Sequence, residues 1–285
     1  MTDPQFPGGL AALADQYDAI LCDVWGVIHN GEYAFDEACE ALVRFRDQGG
    51  AVCLITNAPV PKAQAIQHFD PIGVPPEAFD DCVTSGDATR EVLKQRAGEV
   101  FWRMGADSGW ESDQFLYEGL DLQFGDSRNS NTVLCIGLED QVNDHPDDYR
   151  DRLAEAADRD MEMICANPDI RVRIGEQLYW CAGALAKVFE EEGGKVIYPG
   201  KPHDPIYDLA LSRLSDLGVE TSAARTLCIG DSPATDMKGA LNRGFSGLYV
   251  GTGLTEHGAN FEQEVADLLG DYGVTAKWAM PKLSW

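Results

Sequence analysis

Short, continuously apolar runs alternate along this chain with longer stretches whose apolar residues recur every three or four positions. The runs are Ala19–Cys22, Ala51–Thr56, Thr132–Leu138, Met161–Ala166, Lys195–Tyr198, Thr226–Gly230 and Gly247–Val250. Each is four to seven residues long and rich in branched side chains, which predicts strands buried on both faces. Between the first two lies DEACEALVRFRDQGG, where Ala38, Leu42 and Phe45 fall on one face of a helix and Gly49-Gly50 supplies the stop. Similar helical patterns run from Asp204 to Leu217 and from Thr235 to Arg243. Buried strands joined by helices read as βαβ units around a parallel sheet. The fold class expected is α/β.

The middle of the chain has a different texture. From about Ser85 to Gly194 it carries polar, glycine-rich segments such as SGWESDQFLYEG and FGDSRNSN around a few strand-like runs. This predicts a second domain, residues 85–194, inserted into a discontinuous core made of 1–84 and 195–285. The aromatic residues Trp102, Trp110, Phe115 and Tyr117 would form the insert's own core or a dimer surface.

Composition adds to that picture. Of 285 residues 44% are apolar and 25% charged, the usage of a folded globular chain. The formal net charge is −26. A surface this negative repels phosphate backbones and anionic lipid, and no Lys/Arg run offsets it, so neither nucleic acid nor membrane is expected as a partner. The acidity reads most simply as solubility or adaptation to a salty cytoplasm, with a cation-gathering cluster as the alternative. No apolar stretch approaches the ~20 residues of a membrane span, and the acidic start MTDPQFPGGLAALADQYD lacks the features of a signal peptide. A cytoplasmic location is the expectation. The eight cysteines form no C-x-x-C pair and most sit inside apolar runs, which predicts reduced core thiols.

Ligands of open parallel sheets bind beyond the carboxyl ends of the strands. The polar residues that follow each run are therefore the candidates: Asp23 after AILC, Thr56 and Asn57 at the end of AVCLIT, Lys201 after KVIYPG, and Asp231 after TLCIG with Asp236 five residues on. Two carboxylates suit a hard cation such as Mg²⁺. A hydroxyl, an amide and an ammonium suit phosphate oxygens. A strand-end Asp beside a metal can act as a nucleophile and form an aspartyl-phosphate. Singly, each has a bland alternative: a turn or capping Asp, a solvated loop Lys, an N-capping Ser. Together they point to phosphoryl transfer.

The segments DVWGVIHNG, LITNAP, CANPD, GALAKVFEEEGGK, GKPHDPIYDLAL and CIGDSPATDMKGA resemble the haloacid dehalogenase (HAD) superfamily, class IIA, the NagD-like phosphatases. The resemblance implies a Rossmann-like core with an inserted class IIA α/β cap. It implies Asp23 as nucleophile and Mg²⁺ ligand, Asp231 as the second carboxylate ligand, Asp236 as a supporting acid, and Thr56, Asn57 and Lys201 as holders of the phosphoryl oxygens. Asn167, in Asn167-Pro168-Asp169, would face the substrate from the cap, or form an ordinary Asn-Pro turn. The substrate would be a small phosphorylated metabolite, and the resemblance is compatible with a homodimer.

One position departs from the family pattern D-x-D-G-V. Trp25 stands where the second Asp, the general acid and base, should be. Its main-chain carbonyl can still ligate a metal, but its indole cannot protonate a leaving alkoxide. Losing a general acid–base costs a rate factor of ~10²–10⁴, or about 3–5 kcal/mol of barrier. Three outcomes stay open. The substrate has a good leaving group; or His29, beside the Asn30-Gly31 turn, substitutes, the alternative being a solvent-exposed turn histidine; or the chain binds its ligand with little or no turnover. Trp25 itself could wall the pocket or stack on an aromatic substrate.

Overall fold

The computed structural model describes residues 3–106 and 114–285. The chain divides into two compact units, one of Met1–Thr56, Ile66–Val83 and Tyr207–Trp285, the other of Asn57–Ala65 and Thr84–Ile206. In chain order the strands are β1 (Ala19–Cys22), β2 (Ala51–Thr56), β3 (Asp81–Thr84), β4 (Val100–Met104), β5 (Gln123–Phe124), β6 (Thr132–Cys135) and β7 (Glu162–Cys165). They continue with β8 (Arg171–Ile174), β9 (Gln177–Trp180), β10 (Lys195–Ile197), β11 (Thr226–Gly230), β12 (Ser246–Val250) and β13 (Trp278–Met280).

The first unit is organised by a six-stranded sheet of order β13-β12-β11-β1-β2-β3. From β13 across to β2 every pairing is parallel, and Cys22 lies opposite both Leu54 and Ile229. The chain moves outward from β1 to β3 on one side and from β11 to β13 on the other. Strand order thus reverses between β1 and β11, where a parallel sheet opens a crevice at its carboxyl edge. Residues of β1, β2 and β11 are buried throughout, which is why these strands read as unbroken apolar runs.

Amphipathic helices cover this sheet. Asp36–Asp47 buries Ala38, Cys39, Ala41, Leu42 and Phe45. Its first turn carries Asp36 and Glu37 and its last carries Arg44 and Arg46, both favourable to the helix dipole. Phe45, at 2% exposure, contributes about 2–3 kcal/mol of burial. Arg46 then ties the helix to Asp80 at 2.5 Å.

The second unit holds a five-stranded sheet of order β10-β7-β6-β4-β5 and the hairpin β8-β9. Its core packs Trp102, Met104, Val133 and Tyr149 with Leu185 and Phe189 of the helix Ala182–Glu191. Trp102 lies under the Arg152 guanidinium, 5.2 Å from the ring centre, so it belongs to the unit's own core. Tyr117 packs on Phe124, while Trp110 lies outside the described residues. All eight cysteines are buried thiols. Among the described residues no helix is long and apolar enough to cross a membrane.

Candidate active site

Asp23 leaves the end of β1 and Asp231 the end of the neighbouring β11, so two residues 208 positions apart meet at the point where strand order reverses. The Asp23 backbone N–H donates to the Ile229 carbonyl at 2.8 Å, continuing the ladder one residue past the strand. Its side-chain Oδ1 accepts from the Val24 N–H at 2.7 Å. Asp236 joins from the turn Pro233–Met237, which Ser232 caps by accepting from the Thr235 N–H at 3.3 Å. The Asp236 carboxylate in turn accepts from the Ser232 N–H at 3.1 Å. One ligand oxygen from each of Asp23, Asp231 and Asp236 lies within 4.8 Å of the others. Asp23 and Asp236 are buried and Asp231 is half-buried.

The backbone makes room for these carboxylates. Gly26 has φ +79°, and a Cβ there would stand 2.4 Å from Asp231 Oδ2. At Gly253 a Cβ would stand 1.6 Å from the same oxygen. The loop bearing Gly253 is tied down next door, since the Thr252 hydroxyl donates to the Gly26 carbonyl. Three anionic oxygens this close repel one another by about 3 kcal/mol per pair at an effective dielectric constant near 20. A hard divalent cation accepts such an all-oxygen donor set and removes that repulsion, so the residues present fit Mg²⁺. Burial, and after it the charge of Asp231, pushes the Tyr249 phenol up, so Tyr249 stays neutral beside the cluster.

Trp25 and His29 form the neighbouring wall. Their rings meet edge-to-face at 4.7 Å between centres. His29 is 3% exposed, which corrects the alternative of a solvent-exposed turn histidine. Its Nδ1 accepts from the Gly31 N–H at 3.0 Å, leaving Nε2 with the proton. Burial, aided by nearby His68, lowers its pKa to about 4. At pH 7 the ring is neutral and holds no imidazolium proton for a leaving group.

The shift has a thermodynamic consequence. Unfolded His29 takes up a proton near pH 6.5, whereas the folded protein refuses it until about pH 4. The unfolded state binds more protons in that window, so stability is lost as pH falls through it. Urea unfolding at pH 7 and pH 5 is expected to show His29→Gln losing about 2 kcal/mol less than the parent over that interval. Identical losses would contradict the burial of a neutral imidazole here.

Of the remaining candidates, Thr56 is buried at the end of β2. Asn57, Asn167 and Lys201 come together in the second unit. Asn57 Oδ1 accepts from the Lys201 backbone N–H at 2.8 Å, and its Nδ2 donates to the Lys201 carbonyl at 3.2 Å and to Asp169 at 2.8 Å. Asn167 Oδ1 accepts from the Asp169 N–H at 3.0 Å. Both Nδ2 hydrogens of Asn57 are therefore committed, and its side-chain amide has no donor left for a phosphoryl oxygen. That corrects the reading of the Asn57 amide as a phosphate donor; only its backbone N–H can fill the part. Sequence position alone does not single out Asp169, although the Asn-Pro-Asp motif is the signal that could have found it.

Comparison with known proteins agrees with this architecture. A family model described as haloacid dehalogenase-like hydrolase matches residues 20–113, and a second, HAD-hydrolase-like, model matches 198–272. The crystal structure of a haloacid dehalogenase-like hydrolase from Brucella suis 1330 is 37% identical, covering 98% of this chain and 100% of that one with a TM-score of 0.85. The chain belongs to the haloacid dehalogenase-like hydrolases. NagD from E. coli K-12 is 23% identical over 94% of this chain and 97% of its own, with a TM-score of 0.65, and shares the fold. The 5'-nucleotidase YutF of Bacillus subtilis is 23% identical over 257 residues, 84% of this chain and 89% of that protein. Within the family the fold is that of class IIA, a parallel-sheet α/β core with a cap.

Proposed function

We propose that this protein is a Mg²⁺-dependent phosphohydrolase acting on a small phosphorylated metabolite through an aspartyl-phosphate on Asp23. The observation that carries the reading is the convergence of Asp23, Asp231 and Asp236 at the switch point of a parallel sheet. Those carboxylates, with the Trp25 main-chain carbonyl, would hold the ion. Bound there, Mg²⁺ supplies positive charge that neutralises the phosphoryl oxygens and polarises phosphorus.

The chain's own residues carry the steps. A carboxylate oxygen of Asp23 attacks phosphorus while the bond to the leaving oxygen breaks, and water then cleaves the acyl phosphate to release inorganic phosphate and regenerate the carboxylate. The Thr56 hydroxyl and the Asn57 backbone N–H bind phosphoryl oxygens, and the Lys201 ammonium offsets their charge. Trp25 has no acidic proton to give, and His29 is neutral, so the reaction favours leaving groups that depart without protonation, such as acyl phosphates, anhydrides or acidic alcohols. We read the second unit as the cap, with Asn167 in its Asn-Pro-Asp turn, and the first as the core; the boundary expected at Gly194 then moves to Ile206, because β10 pairs with β7 and not with a core strand. Trp25 offers a face on which an aromatic substrate could stack. A relative is named as a 5'-nucleotidase, so nucleoside monophosphates are the natural esters to compare, and their alkoxide leaving group should turn over more slowly here than an acyl phosphate or anhydride.

Release of phosphate from an activated aryl phosphate, with and without Mg²⁺, tests the proposal. Turnover that requires Mg²⁺ is the expected result. Binding of Mg²⁺ and a phosphorylated metabolite with no release from aryl or natural esters would replace it with a ligand-binding role.

A further inference from the structure

A lysine can neutralise a phosphoryl group only if its ammonium is aimed there, and its side chain gives up about 2 kcal/mol of rotamer freedom to be held. Lys201 is 2% exposed, so its stem is enclosed and its direction follows from where its backbone is fixed. That backbone is gripped on both sides by one amide. Asn57, 144 residues upstream, accepts from the Lys201 N–H and donates to its carbonyl. Just before Lys201 the chain comes as close as glycine permits: a Cβ on Gly200 would lie 2.6 Å from Asn57 Oδ1 and 2.5 Å from Ser85 Oγ.

The grip works in only one orientation of the amide. Turned over, Asn57 would set N–H against the Lys201 N–H and oxygen against its carbonyl. Both Lys201 groups are buried and would be left unpaired, and a carboxylate beside the amide reinforces the choice. Asp169 Oδ1 accepts from Nδ2 at 2.8 Å, and a flipped amide would face that carboxylate with its oxygen. Asp169 is itself set by the turn it ends, through its N–H on Asn167 Oδ1. The turn is pinned further where a Cβ on Gly183 would reach 2.2 Å from the Pro168 carbonyl, leaving no slack between turn and helix.

We propose that Asp169 is a positioning residue for Lys201, acting through the Asn57 amide, so that the Asn167-Pro168-Asp169 turn aids the reaction by orienting a cation it does not itself supply. The inference rests on the reading of Lys201 as the group that offsets phosphoryl charge. It adds that the polarity of Asn57 is held by a carboxylate, which makes Asp169 and Lys201 energetically coupled.

The test is a double-mutant cycle of Asp169→Ala and Lys201→Ala, read by steady-state phosphate release from an aryl phosphate and by calorimetric binding of inorganic phosphate with Mg²⁺. Asp169→Ala is expected to lower kcat by about 10–100-fold, the scale of a misplaced catalytic group, with a smaller change in KM. In the Lys201→Ala background the same change should cost nothing more, in turnover or in phosphate affinity. Asp169→Asn retains an oxygen that can accept from Nδ2 and should recover most of the loss. An equal cost of Asp169→Ala with and without Lys201 would overturn the proposal and leave Asp169 a structural residue only. Were the protein to bind phosphate without turnover, the affinity cycle alone decides: coupling supports the proposal and additivity refutes it. Melting curves of each variant guard against a fold defect. Should Asp169→Ala fail to fold, Asp169→Ser, which keeps a weaker acceptor, is put through the same cycle, where coupling and additivity carry the same meanings. Loss of turnover in Lys201→Ala beside an unaffected Asp169→Ala would sink this inference while sparing the proposed function.

Discussion

Asp23→Asn is expected to lower phosphate release by on the order of 10³-fold or more, because an amide is no nucleophile and the proposed reaction assigns Asp231 and Asp236 to the metal and not to phosphorus. The substitution is close to isosteric. The amide oxygen it introduces can still accept from the Val24 N–H that holds the native side chain at 2.7 Å. The backbone bond to Ile229 is untouched. Fold is therefore retained, and stability in metal-free buffer should rise, since one of three mutually repelling charges is gone. Added Mg²⁺ should raise the melting temperature of the parent and do much less for the variant, through linkage of binding to folding. Phosphate release measured beside Mg²⁺-dependent melting separates the two effects. Activity persisting within tenfold would mean that another group attacks phosphorus.

The second large effect is expected at Gly253, which bears no chemistry of its own. A methyl group there would occupy the place of Asp231 Oδ2, at 1.6 Å. Either the carboxylate turns away or the loop that Thr252 ties to Gly26 lifts off. Both break the three-oxygen arrangement. Gly253→Ala should weaken Mg²⁺ binding by about 10–100-fold, the usual cost of disturbing what orients a metal ligand, and turnover at limiting Mg²⁺ should fall with it. Gly270→Ala is the control. Nothing lies within 4 Å of a Cβ there, and the residue sits in the helix Phe261–Asp271. That change should leave metal binding alone and add up to about 1 kcal/mol of stability. Calorimetric Mg²⁺ titration of both variants checks the contrast, and equal affinities would show that the loop yields freely.

The sheet that carries Asp23 and Asp231 is legible in the sequence because parallel strands buried on both faces leave a contiguous apolar signature, and β1, β2 and β11 have the predicted bounds. Runs report burial better than pairing. Thr132–Leu138 is apolar and buried to its end, yet the strand stops at Cys135. Strands without that signature escape detection: β13 is three residues, β4 has Arg103 near its end, and in the hairpin β8-β9 one strand alternates arginine with apolar residues and the other is Gln-Leu-Tyr-Trp, both part-exposed. The stretch from Thr235 to Arg243 forms a wider turn at Pro233–Met237 before the α-helix Lys238–Arg243, because Ser232 caps the turn and Asp236 folds back on it.

In the site, strand-end position suffices to pick out Asp23 and Asp231, which sheet register brings together, while Asp236 reaches them only because the turn Pro233–Met237 folds it back onto the Ser232 N–H. Strand-end position does not say what Asn57 does. An amide next to a hydroxyl at a strand end looks like a phosphate ligand until its partners, Asp169 and Lys201, are known, and both lie more than a hundred residues away. Nor does composition show that His29 is enclosed, because its neighbours Asn30 and Gly31 read as an open turn.

The pairing of β1 with β11 also bears on how the chain is made. Residue 22 meets residue 229 in the middle of the sheet, so during synthesis β1 waits for about 200 residues to follow it. At ribosomal rates of about 5–20 residues per second that is roughly 10–40 s. Throughout it β1 has β2 on one side and an open edge on the other, the kind of edge that invites foreign strands. The other sheet, from β4 to β10, is complete in sequence by residue 197, before any of β11 has emerged. The nascent chain is therefore most exposed to misassembly along the strand that leads into Asp23, and a chaperone that shields the β1 edge would raise the yield of folded protein more than one acting on the later strands.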